Sequence, residues 1–182
     1  MAIRKILKFP DQDLRIKAKP VESFGDELKT LTDDMLETMH SVNGIGLAAT
    51  QIGVAKQVAV IDISPEKNEP LVIVNPAIQI LDPSKTEVYD EGCLSIPGFF
   101  EKISRPSDFK LIYQDLSGKK HEIKPEGLLS KVVQHELDHL NGRLFVDHIS
   151  ELKRRRIRNK ICLLYTSPSP RDMTGSRMPS SA

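Results

Sequence analysis

The sequence predicts an α+β fold with antiparallel sheet, and three observations carry that expectation. Helical spacing of apolar residues occurs near both ends; a series of short β-like runs fills the middle, from about 57 to 123; and strands do not alternate with helices as a doubly wound parallel sheet requires. At 182 residues the chain is long enough for one domain with a core of its own and too short for two ordinary ones. Hydrophobic residues at 39% and charged residues at 28%, with every long apolar run interrupted, exclude a membrane-spanning or a largely disordered protein. Twenty-six basic against 25 acidic residues leave a net charge of +1, so nothing global points to nucleic acid. Two cysteines, Cys93 and Cys162, rule out a disulfide scaffold. The first ten residues intersperse Arg4, Lys5 and Lys8 among apolar ones and hold no signal-peptide-length apolar stretch. A cytoplasmic location is therefore expected, an organellar form without its transit peptide being the alternative.

Residues 1–22 read as an extended arm, because Pro10 and Pro20 forbid a continuous helix and Ile6-Leu7-Lys8-Phe9 suits a short strand. From Ser23, the apolar positions Phe24, Leu28, Leu31, Met35, Met39 and Val42 keep helical spacing, with Ser23 and Asp26 as a capping pair and Asn43-Gly44 as the stop. The β-like runs are 58–63, 71–74, 87–89, 109–113 and 120–123, separated by turns carrying Pro65, Pro70, Pro76, Pro83, Pro97, Pro106 and Gly118. A second helix is expected from Pro125, a favourable first-turn proline, to Asn141-Gly142. A third starts near Ser150 and carries Lys153, Arg154, Arg155, Arg156, Arg158 and Lys160. Of the 21 residues from 162 onward, 11 are Ser, Thr, Pro or Gly. The expected organisation is therefore a domain over 1–161 and a disordered tail over 162–182. The tail's abrupt start inside a helical pattern fits read-through into foreign sequence.

Chemistry is concentrated in three places. In His135-Glu136-Leu137-Asp138-His139, two imidazoles four residues apart lie on one helical face and can share a metal ion, while Glu136 can reach a water on it; the bland alternative is a solvated helix face. A catalytic metal usually takes a third protein ligand, and Cys93, Asp147 and His148 are the candidates. Residues 44–51, Gly-Ile-Gly-Leu-Ala-Ala-Thr-Gln, let another backbone approach closely, so an extended peptide could pair there as an added strand, with Gln51 offering amide donors to an oxyanion. Otherwise this stretch is a tight helix-to-strand connection.

Taken together, residues 44–51, Glu91-Gly92-Cys93-Leu94-Ser95 and Gln134-His135-Glu136-Leu137-Asp138-His139 resemble the three signatures of the peptide deformylases, complete and in order, in their bacterial and organellar form. The resemblance covers roughly residues 1–161. It implies antiparallel sheets packed around a central helix that carries the His-Glu-x-x-His motif, flanked by an amino-terminal helix and a basic carboxy-terminal helix. It also implies a metal-dependent amidohydrolase that removes the formyl group from the N-terminal formylmethionine of newly synthesised proteins and releases formate.

On that resemblance Cys93, His135 and His139 hold one divalent metal, Fe(II) in the cell, with Zn(II), Ni(II) and Co(II) as substitutes. Glu136 moves the water's proton to the leaving amine, and Gln51 and the Leu94 N–H stabilise the oxyanion. The substrate lies as an added strand along Gly44, Ile45, Gly46 and Gly92, with Leu128 and Val132 lining the methionine pocket beside Ile45 and the His135 ring. Arg105 and Glu91 support the ligands by hydrogen bonding or ion pairing, for which a solvated pair is the alternative. Phe100 stands where some relatives place an arginine. The helix over 153–160 docks on the large ribosomal subunit, for which a merely solvated face is the alternative, and no membrane partner is implied. Two rival readings are a zinc peptidase, which the helix motif alone would also serve, and a catalytically silent ribosome-binding homologue.

Overall fold

A computed structural model describes residues 2–166. In chain order the elements are α1 (Asp26–Ser41), β1 (Gly46–Ala48), β2 (Val58–Ile61), β3 (Leu71–Cys93), β4 (Ile96–Gln114), β5 (Lys120–Ile123), α2 (Gly127–Leu140) and α3 (Glu151–Thr166). The strands form one five-stranded antiparallel sheet in the order β1-β2-β3-β4-β5, so each strand lies beside its neighbour in sequence. The α+β expectation holds, with a single hydrogen-bonded sheet in place of several.

Two long strands replace the expected series of short ones. The runs at 71–74 and 87–89 are both parts of β3, and 109–113 is part of β4. Proline cannot donate to a ladder, which is why Pro76 and Pro83 read as breaks. Both instead occupy register shifts, between Val74 and Ala77 and between Asp82 and Thr86, where the ladder makes no demand on their missing N–H. Each bulge also resets the side-chain alternation, so one long strand reads as several.

Every residue of β1 and β2 is buried, and successive side chains alternate between two cores. Leu47, Val58, Val60 and Val74 face α1 and pack with Leu28, Leu31, Met35 and Met39, whereas Ala48, Ala59, Ile61 and Ile73 face α2 and pack with Val132, Val133, Leu137 and Leu140. The sheet here is thus covered on both sides. In a third cluster, Phe9 and Leu14 of the arm pack with Ile96, Ile103, Phe145, and Ile157 and Ile161 of α3.

Three boundaries differ from expectation. Helix α1 begins at Asp26 behind Gly25 and has no side-chain cap, so Ser23 and Asp26 do not form a capping pair; Phe24 lies against Gly118, and the chain turns helical only after it. Glu126 is the N-cap of α2, so Pro125 precedes the helix. Helix α3 passes residue 161 and continues to Thr166, because Cys162, Leu163, Leu164 and Tyr165 are compatible with a helix and the first breaker is Pro168. The rest of the expected disordered tail, 167–182, lies outside the described residues.

Gly142, just past the end of α2, has φ of 72°, and a Cβ there would collide with the backbone carbonyl of Arg15. Gly142→Ala should therefore cost about 1–3 kcal/mol of stability, read from denaturant unfolding curves.

Candidate active site

Cys93 is the last residue of β3, just before a two-residue turn at Leu94-Ser95. The register shifts there, from Gly92 opposite Phe100 to Cys93 opposite Ile96, and a bulge of this kind re-aims a side chain. The thiol is thereby brought to α2. His139 Nε2 lies 3.2 Å from Cys93 Sγ and 3.2 Å from His135 Nε2, and one donor atom from each of the three residues falls within 4.8 Å of the others. The other third-ligand candidates point elsewhere. Asp147 pairs with Arg15 and Arg154, and His148 binds Asp138.

Burial alone would lower the His135 pKa, but hydrogen bonds to Cys93 and Glu91 raise it well above the ordinary histidine value. Burial, with the charge of His135 beside it, holds His139 well below that value, so its ring is neutral and keeps a lone pair to give. Its Nδ1 is buried and has no hydrogen-bond partner among the described residues. A soft thiolate and two imidazoles facing one point are a donor set that suits a divalent transition metal.

Behind the cluster, Glu91 Oε2 lies 3.1 Å from His135 Nδ1 and so fixes the ring's orientation. Arg105 holds that carboxylate with two hydrogen bonds, from Nε and from Nη2 (2.8 Å), and donates from Nη1 to Asp138 Oδ2 at 2.9 Å. Although burial opposes it, this bonding lowers Glu91 to about 2. The Arg105–Glu91 pair anticipated from sequence is thus a buried bridge. Its extension through Asp138 to His148 Nε2, at 2.7 Å, had no sequence signal.

Glu136 is 3% exposed, and burial pushes its carboxyl up to about 7. Among the described residues, one of its oxygens, Oε2, has no hydrogen-bond partner. Gly46 permits this placement, since a Cβ there would strike Glu136 Oε1 and come within 2.8 Å of Val132 Cγ1. Gln51 is buried, with Oε1 accepting from Ala48 N–H at 2.9 Å and Nε2 3.2 Å from Ser95 Oγ and 3.6 Å from Cys93 Sγ.

A cavity of about 550 Å³ opens in front of these groups. Gly44, Ile45, Gly46, Gln51, Gly92, Cys93, Leu94, Val132, His135 and Glu136 line it. Leu128 does not. It lies in the first turn of α2, four residues before Val132, and is 44% exposed. The reading missed Lys8 and Lys131, which also line the cavity; neither sits in a motif. Phe100 lies at its mouth, 71% exposed, with its ring over Gly92. Strand β1 is the edge of the sheet, so its outer side is unpaired by any strand.

A buried cluster of metal-type donors beside a carboxyl of near-neutral pKa, in an open cavity, defines a metal-dependent hydrolase. The model of the polypeptide deformylase family matches residues 3–155, and the chain belongs to that family. The peptide deformylase of Cellvibrio japonicus (strain Ueda107) is 54% identical over 161 residues, 88% of this chain and 95% of the relative, and that of Saccharophagus degradans (strain 2-40) is 55% identical over 88% and 93%. The crystal structure of the Legionella pneumophila peptide deformylase superposes with a TM-score of 0.82 at 47% identity, over 92% of this chain and 100% of that one. The Ehrlichia chaffeensis enzyme, in complex with actinonin, gives 0.85 at 36% identity over the same shares. The chain is thus an enzyme that removes the N-formyl group from nascent peptides. Among the described residues, no helix is long and apolar enough to cross a membrane.

Because Glu91 orients His135, Glu91→Gln should weaken metal binding by about 10- to 100-fold, measured by competition with a chelator of known affinity.

Proposed function

We propose that this chain deformylates nascent peptides with Cys93, His135 and His139 as the ligands of one divalent metal and Glu136 as the proton-transfer group. The observation that carries this reading is the convergence of the three donors beside a buried carboxyl held near pH 7. Fe(II) is the metal we assign in the cell, with Zn(II), Ni(II) and Co(II) as substitutes, since a thiolate with two imidazoles suits all of them. When bound, the metal supplies Lewis-acid polarisation of the formyl carbonyl and a more acidic water.

The chain's own residues do the rest. A substrate backbone pairs with the open side of β1 around Ile45 and Gly46 and passes Gly92, while the methionine side chain enters the cavity beside Val132 and the His135 ring. Main-chain pairing is indifferent to downstream sequence, and that suits an enzyme serving many proteins. Glu136 accepts a proton from the attacking water at its carboxylate and returns it to the leaving amine; a pKa near neutrality serves both steps. The oxyanion formed at the formyl carbon accepts hydrogen bonds from Gln51 Nε2 and the Leu94 N–H. Donors held by the fold in advance need little reorganisation during reaction.

Helix α3 exposes Arg155, Arg156, Arg158 and Lys160, and we assign this face to the phosphate backbone of the large ribosomal subunit. The location that follows is the cytoplasm, where nascent formylated chains emerge.

The central test is formate release from formyl-Met-Ala-Ser by anaerobically purified, metal-loaded protein. Glu136→Gln should lower kcat by about 10²- to 10⁴-fold with the metal retained. Gln51→Ala should lower kcat by about 10²- to 10³-fold with little change in KM. Full turnover in folded, metal-replete Glu136→Gln would overturn the assignment. For α3, the double variant Arg155→Glu/Arg156→Glu should lose salt-dependent cosedimentation with ribosomes while formate release from the free peptide is unchanged.

A further inference from the structure

The amino-terminal arm meets the site at three points in three consecutive residues. Leu7 N–H donates to the Gln51 carbonyl at 2.8 Å, Lys8 Nζ to the Leu94 carbonyl at 2.5 Å, and Phe9 N–H to the Ser95 carbonyl at 2.9 Å. The arm therefore runs between the turn that carries Gln51 and the turn that follows Cys93, and it bonds both. Its two ends are anchored. Arg4 pairs with the buried Asp34 of α1 through Nε at 2.9 Å and Nη2 at 2.6 Å, and Phe9 packs in the third core cluster.

Lys8 differs from the other two contacts in being a side chain. It lines the same cavity as Gln51, Leu94 and Glu136, is half-buried, and its pKa is lowered by that burial. A partly desolvated ammonium directed at one carbonyl makes a charge-assisted bond, stronger than a neutral one. The carbonyl it holds closes the peptide after Leu94, and Phe9 holds the next one. Rotation of the Leu94-Ser95 turn, which would swing the Leu94 N–H, is thereby restrained.

We propose that residues 7–9 form a clasp that sets the distance between the two oxyanion donors, Gln51 Nε2 and the Leu94 N–H, and that Lys8 is its positioning residue. The inference rests on the assignment of those two donors above. Lys8 lines the cavity, and the role assigned to it runs through its bond to the Leu94 carbonyl. Displacement of a donor by about 1 Å is enough to cost a large factor in rate, so a looser turn should appear in kcat and not in substrate affinity.

The experiment compares Lys8→Met, which keeps the apolar stem, and Lys8→Arg, which keeps the charge and the donors, with the unaltered enzyme, all loaded with the same metal and assayed on formyl-Met-Ala-Ser. Lys8→Met should lower kcat by about tenfold with KM within about twofold and with metal content and Tm unchanged, and Lys8→Arg should restore most of it. Unchanged kcat in Lys8→Met, while Gln51→Ala is impaired, overturns the clasp and leaves the donor assignment standing. Unchanged kcat in Gln51→Ala overturns that assignment instead. A loss of kcat that tracks loss of metal or of Tm, or that Lys8→Arg does not restore, assigns Lys8 a merely structural role and also overturns the clasp.

Discussion

One buried arginine holds the active site together. Arg105 is on β4, its carboxylate partner Glu91 on β3 and its second partner Asp138 on α2, so a single guanidinium joins two strands to the helix that carries both histidines. Its planar fork satisfies both Glu91 oxygens at once, which a lysine could not do. Such a bridge is not a cheap source of stability, since removing three charged groups from water offsets much of their attraction. What it supplies is position. With Glu91 fixed, His135 has one ring orientation, and His139, one turn further along α2, meets the thiol of Cys93.

The same region must let groups approach closely that ordinary side chains would keep apart. Gly46 removes the Cβ that would strike Glu136, and Gly92 removes the one that would strike the Phe100 ring. The sheet edge and α2 can then sit near enough for the Glu136 carboxyl on the helix to lie against Gly46 of the strand. Burial raises that carboxyl toward neutral pH, and the proximity that makes the site compact therefore also sets its proton chemistry.

Much of the candidate site was legible in the sequence because it is local. His135, Glu136 and His139 share a helical face by spacing alone, and the glycines at 44, 46 and 92 mark close approach wherever they fold. Cys93 was one of three candidates for the third ligand until the resemblance singled it out. The long strands were not legible, because the bulges at Pro76 and Pro83 break the alternation that identifies a strand. Leu128 shares a helical stripe with Val132 but is not among the residues that line the cavity, since that spacing does not say how far along the helix the cavity reaches.

By itself, then, the sequence determined the α+β class, the family signatures and the residue types able to bind a metal and move a proton. Each of these depends on composition or on spacing within a few residues. Only the tertiary structure decided that Cys93 reaches His139 while Asp147 and His148 turn away, that Arg105 ties three elements together, and that Lys8 comes to rest on the Leu94 carbonyl, 86 positions along the chain. Those are contacts between distant segments, set by how the arm, the sheet and α2 pack, and no local pattern encodes the packing.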